Sequence, residues 1–246
     1  MSEPPVKVFV MGANAWRTAA DWPIPGTRFV PHYFHSGGQA NTLWGDGALD
    51  RRAPAAEPPD RYVYDPADPV PTLGGSTCCG EDITPISMGP RDQRTAEWRP
   101  DVLVYSTPPL EADVEVTGPV KVLLWAASSA PDTDFTAKLV DVFPSGYVMN
   151  VAQGILRARY RDSFERPSPL EPGRSYRFEI DCWSSSNLFR RGHRIRVEIA
   201  SSNFPQFDRN PNTGRPFGED TDLVRATQTV YHDAQHPSHI VLPIVD

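Results

Sequence analysis

Residues 194–214 read RIRVEIASSNFPQFDRNPNTG, and this stretch decides the fold. Arg194-Ile195-Arg196-Val197-Glu198-Ile199 alternates charged and β-branched residues, the period-two pattern of a strand with one wet and one buried face. The segment then opens into a loop rich in Asn, Asp, Pro and Gly that still carries Phe204 and Phe207. A mere connection has little use for two aromatics, so the pattern predicts an ordered surface loop pinned by its own side chains on a β-framework.

Working outward, strand-like runs recur: Val6 to Met11, Arg28 to His35, Arg61 to Tyr64, Val102 to Tyr105, and Val114 through Gly118-Pro119 to Trp125. Phe135 to Val142 meets Tyr147 to Leu156 across Pro144-Ser145-Gly146, which reads as a hairpin. Tyr176 to Ile180, Thr227 to Tyr231 and His239 to Leu242 complete a set of about ten strands. Asn14 to Ala20 and Asp220 to Ala226 are each expected to form a short helix at most. Polar-out, apolar-in strands in this number predict an all-β protein, a two-sheet jelly-roll sandwich with long ordered loops. Residues 1–5 read as a tail and 6–246 as one sandwich, with Arg51 to Pro59 as a flexible excursion inside it.

Composition narrows the function. Hydrophobic residues are 39% and aromatics 10% of the 246, enough for a core, and 27 Pro with 17 Gly fit many turns. A formal charge of -7 leaves no basic excess to release counterions, which speaks against a nucleic-acid partner. No apolar run approaches the ~18–20 residues that span a bilayer, so no membrane partner is expected. Cys78, Cys79 and Cys182 cannot all pair within one chain, and free thiols point to a reducing, cytoplasmic setting.

Chemistry is sparsely signalled. No serine stands in a G-x-S-x-G elbow; the nearest approach, Gly74-Gly75-Ser76-Thr77-Cys78, lacks the second flanking glycine. Neither a phosphate-binding nor a dinucleotide-binding glycine motif occurs, so no cofactor is expected. Asp132-Thr133-Asp134 offers two carboxylates to a hard cation, but an Asx turn opening the following strand is the better reading. His232, His236 and His239 are spaced around Pro237, which forbids helical stacking, and read as loop and strand histidines. No metal site is expected. The Cys78-Cys79 thiols have no marked base, and Trp16, Trp22 and Trp44 read as packing anchors before a sugar platform.

Six blocks in order carry a resemblance: VKVFVMGANAWRTAADWP from Val6, YDPADPVPTLGG from Tyr64, MGPRDQR from Met88, SSAPDTDFTAKLVDVFPSG from Ser128, SSSNLFRRGHRIRVEIASSNFPQFDRNPNTG from Ser184, and HPSHIVLPI from His236. Together they resemble the C-terminal domain of the cocaine esterase and X-Pro dipeptidyl-peptidase family of serine hydrolases, of bacterial character. The resemblance implies a galactose-binding-domain-like jelly roll that lacks the catalytic triad, which in that family lies in a preceding α/β-hydrolase domain. It implies as partners the α/β-hydrolase and cap domains, with self-association through the exposed face when they are missing. On its own the chain is then expected to be inactive. The resemblance also places Thr77, Cys78, Cys79 and Gly80 at the rim of the acyl pocket, with smaller side chains than the esterases carry. A free-standing carbohydrate- or ligand-binding sandwich is the alternative, supported by fold analogy alone.

Overall fold

The computed structural model describes residues 3–77, 87–216 and 218–245. Among them, β1 (Val6–Val10) and β2 (Ala15–Ala19) form an antiparallel ribbon. The other strands are β3 (Arg28–His35), β4 (Ala48–Asp50), β5 (Asp60–Tyr64), β6 (Leu103–Ser106), β7 (Val114–Ser128), β8 (Asp134–Val142), β9 (Val148–Arg157), β10 (Tyr176–Phe189), β11 (Arg194–Ala200), β12 (Ala226–Tyr231) and β13 (His239–Val245). The helical content is α1 (Arg94–Glu97) and one 3-10 turn at Ala158–Tyr160.

Hydrogen bonds link the larger set in the order β5-β12-β7-β13-β3-β4-β6-β11-β8-β9, with β10 also paired to β7. The long β7 organises one layer. β10 runs antiparallel to it from Tyr176↔Ala126 to Phe189↔Val114. β12 pairs with residues 125–128 of β7 and β13 with residues 115–123, so these two strands lie end to end along it. The second layer is the antiparallel run β6-β11-β8-β9.

The layers close on alternate side chains, as a half-buried strand requires. Val120, Val122 and Leu124 of β7 meet Phe135 and Leu139 of β8, Ile195, Val197 and Ile199 of β11, and Phe178 and Ile180 of β10 in one buried cluster. Phe135 and Phe178 join the layers with ring centroids 4.8 Å apart, and Phe34 stacks on Tyr105 at 4.4 Å. Each such side chain stabilises by roughly 1.5–3 kcal/mol. At Gly154 of β9 a Cβ would lie 2.0 Å from the Asp181 carbonyl oxygen of β10, so glycine lets the layers approach there. The predicted hairpin is β8 and β9, and the predicted all-β sandwich is the architecture found.

Four expectations change. Residues 14–20 are not helical: Phe9↔Trp16 and Lys7↔Thr18 draw Ala15–Ala19 into β2, and pairing overrides a weak local preference. Residues 220–225 form no helix either, because Asp220 and Asp222 are turned toward Arg215. Residues 51–59 are tied down, with Glu57 bonded to His35 at 2.7 Å and to His232 at 3.2 Å. Finally, the charged side of β11 is not a wet face. Segments 70–73 and 93–102 fold across β8 and β11, where Val70, Leu73, Ala96, Val102, Val104 and Ala200 form a second apolar cluster. Lys138 and Glu198 are buried beneath this cover.

The loop after β11 is ordered, but its aromatics do not pin it. Phe204 is exposed and Phe207 half-buried, whereas Asn203, Asn210 and Asn212 are buried. Asn210 Nδ2 donates to Asp132 at 2.8 Å and to Asp134 at 2.9 Å, and its carbonyl accepts from the Tyr64 hydroxyl at 3.1 Å. Asn212 Nδ2 donates to the Val224 carbonyl at 2.7 Å. Asn210→Ala strips two bonds from buried carboxylates and is expected to cost about 2 kcal/mol, whereas Phe204→Ala should stay within about 0.5 kcal/mol. Urea denaturation of the two variants checks this; equal losses would return the pinning role to the aromatic.

Candidate functional site

Thr77 stands at the mouth of an excursion whose base the sequence builds from glycine. Gly75 and Gly89 exchange both backbone hydrogen bonds, at 2.8 and 3.0 Å, and so form a neck between the two chain segments. At Gly74, with φ +68°, a Cβ would fall 2.2 Å from the Gly89 carbonyl oxygen, so no other residue fits. Both limbs of the neck are anchored. Upstream, the Thr72 amide donates to the Phe204 carbonyl at 2.7 Å and the Val70 amide to Ser202 Oγ at 2.9 Å. Downstream, the Arg91 amide donates to Asn150 Oδ1 at 2.7 Å, and Gln93 Nε2 donates to the Leu73 carbonyl at 2.8 Å.

Beside the neck lies a groove of about 450 Å³ between Gly75, Ser76, Gly89 and Pro90 on one side and residues 150–153 and 182–184 on the other. Its far wall is a β-bulge: Asp181 pairs with Lys121 but Ser184 with Pro119, so β10 carries one residue too many. The bulge buries Cys182 and turns Trp183 outward, 75% exposed with φ +62°. Asp181 Oδ1 holds this turn by accepting from the Trp183 amide at 2.8 Å. Burial pushes the Cys182 thiol up to about 12, which removes it as a nucleophile at neutral pH. Of the residues expected at a pocket rim, Thr77 is half-buried next to this groove, and Cys78, Cys79 and Gly80 lie outside the described residues.

A hydroxyl, an imidazole and a carboxylate do meet elsewhere. Ser36 Oγ is 3.1 Å from His232 Nε2, and His232 Nδ1 is 3.2 Å from Glu57 Oε2. Asp60 takes over the junction: it lies 2.9 Å from His232 Nε2 and accepts the Ser36 hydroxyl at 2.8 Å. Burial opposes a charge on His232, but Asp60 and Glu57 outweigh it and raise its pKa. The Ser36 hydroxyl points at the Asp60 carboxylate, within 2.8 Å of both oxygens, and is not presented to the imidazole as to a base. Ser36 Oγ also accepts the Gly38 amide at 2.9 Å. This is a structural pin, and no sequence spacing revealed it.

The remaining candidates separate in space. Asp132 faces Arg159 at 2.8 Å and Asp134 faces Arg157 at 2.9 Å, so guanidinium groups occupy the place of a cation. His236 lies against Asp233 and the Trp125 ring, while His239 Nδ1 faces the Pro237 carbonyl at 2.7 Å. Among the described residues no three His, Cys, Asp or Glu side chains converge as metal ligands would, and no helix is long and apolar enough to cross a membrane.

Two packed layers of strands, with a glycine neck and a solvent-facing tryptophan beside one groove, describe a β-sandwich. Residues 1–241 match the family model described as the X-Pro dipeptidyl-peptidase C-terminal non-catalytic domain, and the chain belongs to that family. It is 47% identical over 244 residues to the cocaine esterase of Rhodococcus sp. (strain MB1 Bresler), a match covering 98% of this chain and 42% of the esterase. Among solved structures it is similar to an aminopeptidase from a marine sediment Thaumarchaeota archaeon, with a TM-score of 0.87 and 33% identity, covering all of this chain and 41% of that one. An α-amino acid ester hydrolase gives a TM-score of 0.85 at 32% identity, covering 98% of this chain and 41% of that one. The chain thus spans about two fifths of the length of these relatives.

Proposed function

We propose that this chain is the non-catalytic C-terminal sandwich of a serine-nucleophile acyl hydrolase, packing on the hydrolase portion and helping to wall its active-site cleft. The observation that carries this reading is the groove beside the glycine neck: a largely apolar, anchored surface, in a chain whose residues 1–241 match the family's non-catalytic C-terminal domain. The relatives are named as an esterase, an aminopeptidase and an amino acid ester hydrolase, which supports acyl transfer from an ester or amide as the reaction of the whole protein. A serine hydroxyl in the hydrolase portion attacks the carbonyl, a histidine takes its proton, and backbone donors hold the oxyanion. This chain contributes shape to that site. Separated from its neighbour, it leaves Phe9, Trp16, Trp22 and Trp183 in water, and self-association through them is expected.

The isolated chain should not hydrolyse a chromogenic acyl ester or an X-Pro nitroanilide. Turnover that a serine-directed inhibitor abolishes would overturn the reading. Within it, the loop carrying Thr77, Cys78, Cys79 and Gly80 is the cleft rim, and its small side chains admit larger acyl groups. In a full-length protein bearing these residues, Cys79→Phe is expected to shift kcat/KM toward small acyl esters by about tenfold, the scale on which a pocket reads a few methylenes. An unchanged ratio between small and bulky esters would remove the loop from the cleft.

A further inference from the structure

Trp183 is the one residue of the groove that the fold holds outward at a cost. A non-glycine residue at φ +62° is uncommon, and for a bulky side chain it persists only where its surroundings impose it. Here the bulge and the Asp181 carboxylate impose it. The sandwich gains little burial in return, because the ring is 75% exposed. The surroundings extend the apolar surface. Ser184, next in sequence, lines both the groove and a second cavity of about 540 Å³ formed with Pro5, Val6, Val8, Phe9 and Trp22. Phe9 and Trp16 sit edge to face at 5.4 Å on the outer side of the β1–β2 ribbon.

We propose that Trp183 is the anchor by which this sandwich grips the hydrolase portion of the same polypeptide, its indole entering an apolar slot that supplies an acceptor to the N–H. The inference rests on the accessory-domain reading and adds the residue that makes the contact. Position argues for this occupant. The chain enters its first strand beside Ser184, with Pro5 and Val6 lining that second cavity, and the matching segment is only 42% of the Rhodococcus esterase. A domain that precedes this one therefore meets it on the face where Trp183 stands. Tryptophan is also the side chain that most often dominates such contacts, provided its ring is fully desolvated on docking.

The test uses a chimera in which this chain replaces the matching segment of the Rhodococcus cocaine esterase. Trp183→Ala is expected to shorten the half-life of esterase activity at elevated temperature by about tenfold or more, the effect of losing an interface anchor. Trp183→Phe should recover most of it. The isolated 246-residue chain should melt at the same temperature with or without the indole, which separates docking from folding. If the parent chimera folds and works but Trp183→Ala leaves its half-life unchanged, the anchor falls and the accessory reading stands. If the parent chimera shows no activity or gains no stability from the sandwich, the accessory reading falls and the anchor with it. If Trp183→Ala instead dissociates a dimer without altering the half-life of the monomer, the occupant is a second copy and the proposal is wrong.

Discussion

Asp60→Ala is expected to lower the melting temperature by about 10 °C, corresponding to a loss of roughly 3–5 kcal/mol for breaking a buried charge pair in a chain of this size. Asp60 is fully buried at the start of β5. Its carboxylate accepts from the Ala40 amide, the Ser36 hydroxyl and the Tyr105 hydroxyl at 2.7–2.8 Å, and faces His232 Nε2 at 2.9 Å. The loop after β3, the edge strand β5, β6 and the turn after β12 therefore share one anion. Alanine leaves a buried imidazole beside Glu57 and two hydroxyls without their acceptor.

The same cluster sets a pH dependence. Burial alone would raise Asp60, and the hydrogen bonds from His232, Ala40, Tyr105 and Ser36 outweigh it and hold the group below its usual range. For His232 burial works downward, and Asp60 and Glu57 carry the value above 6.5. A depressed carboxylate stabilises above its ordinary value near 3.8 and loses that contribution as pH falls through its folded value. A raised imidazole stabilises below 6.5 and loses its contribution as pH rises through its folded value. The contribution of the pair is therefore complete between 3.8 and 6.5 and declines on either side. The gap between melting curves of the parent and Asp60→Asn should be widest between pH 3.8 and 6.5, narrow as pH rises to about 9, and narrow again as pH falls below 3.8. Parallel curves would show that the pair does not titrate with folding.

Lys138 gives the second large effect, with a different sign in combination. Lys138 Nζ bonds to Gln93 Oε1 at 3.0 Å and lies 3.8 Å from Glu198, beneath the cover formed by segments 70–73 and 93–102. Burial depresses the Lys138 ammonium. Burial likewise pushes Glu198 up to about 8, against the pull of Lys138 and with the help of Glu97. Lys138→Met alone leaves Glu97 and Glu198 facing each other and strips Gln93 of its donor, which is expected to cost about 3 kcal/mol. Lys138→Met combined with Glu198→Leu removes both poorly solvated groups and should return stability to the parent level or above, since buried ion pairs are often no better than apolar packing. Urea titrations of the single and double variants decide it. A double variant as weak as the single one would mean that the pair is a net source of stability.

These same residues show why sequence reading went as far as it did. Ile195, Val197 and Ile199 announced β11, and the apolar blocks of β7, β8 and β13 announced theirs, because burial on the core side follows a period of two. Pro144-Ser145-Gly146 announced its turn through backbone chemistry. What stayed hidden depended on distant partners. Ala15–Ala19 becomes a strand only because β1 lies opposite, and every residue of β8, including Asp134, Lys138 and Asp141, is buried under elements far away in sequence. Charged letters announce solvent until a second layer of polar partners is known. The anchoring asparagines were in plain view, yet Phe204 and Phe207 drew the inference because an aromatic is the commoner pin. At the site, Gly75 and Gly89 become a neck only because they pair across an intervening segment. Trp183 carried no local signal, since its exposure arises from a register slip against β7.

The paired amides and carbonyls of Gly75 and Gly89 join the two ends of the 76–88 excursion whatever lies between them. Closing a longer loop through the same clasp adds only about 0.6 kcal/mol per doubling of length. A change of length inside the clasp thus adds little to the cost of closing it, and a protein engineer could try this piece as a cassette.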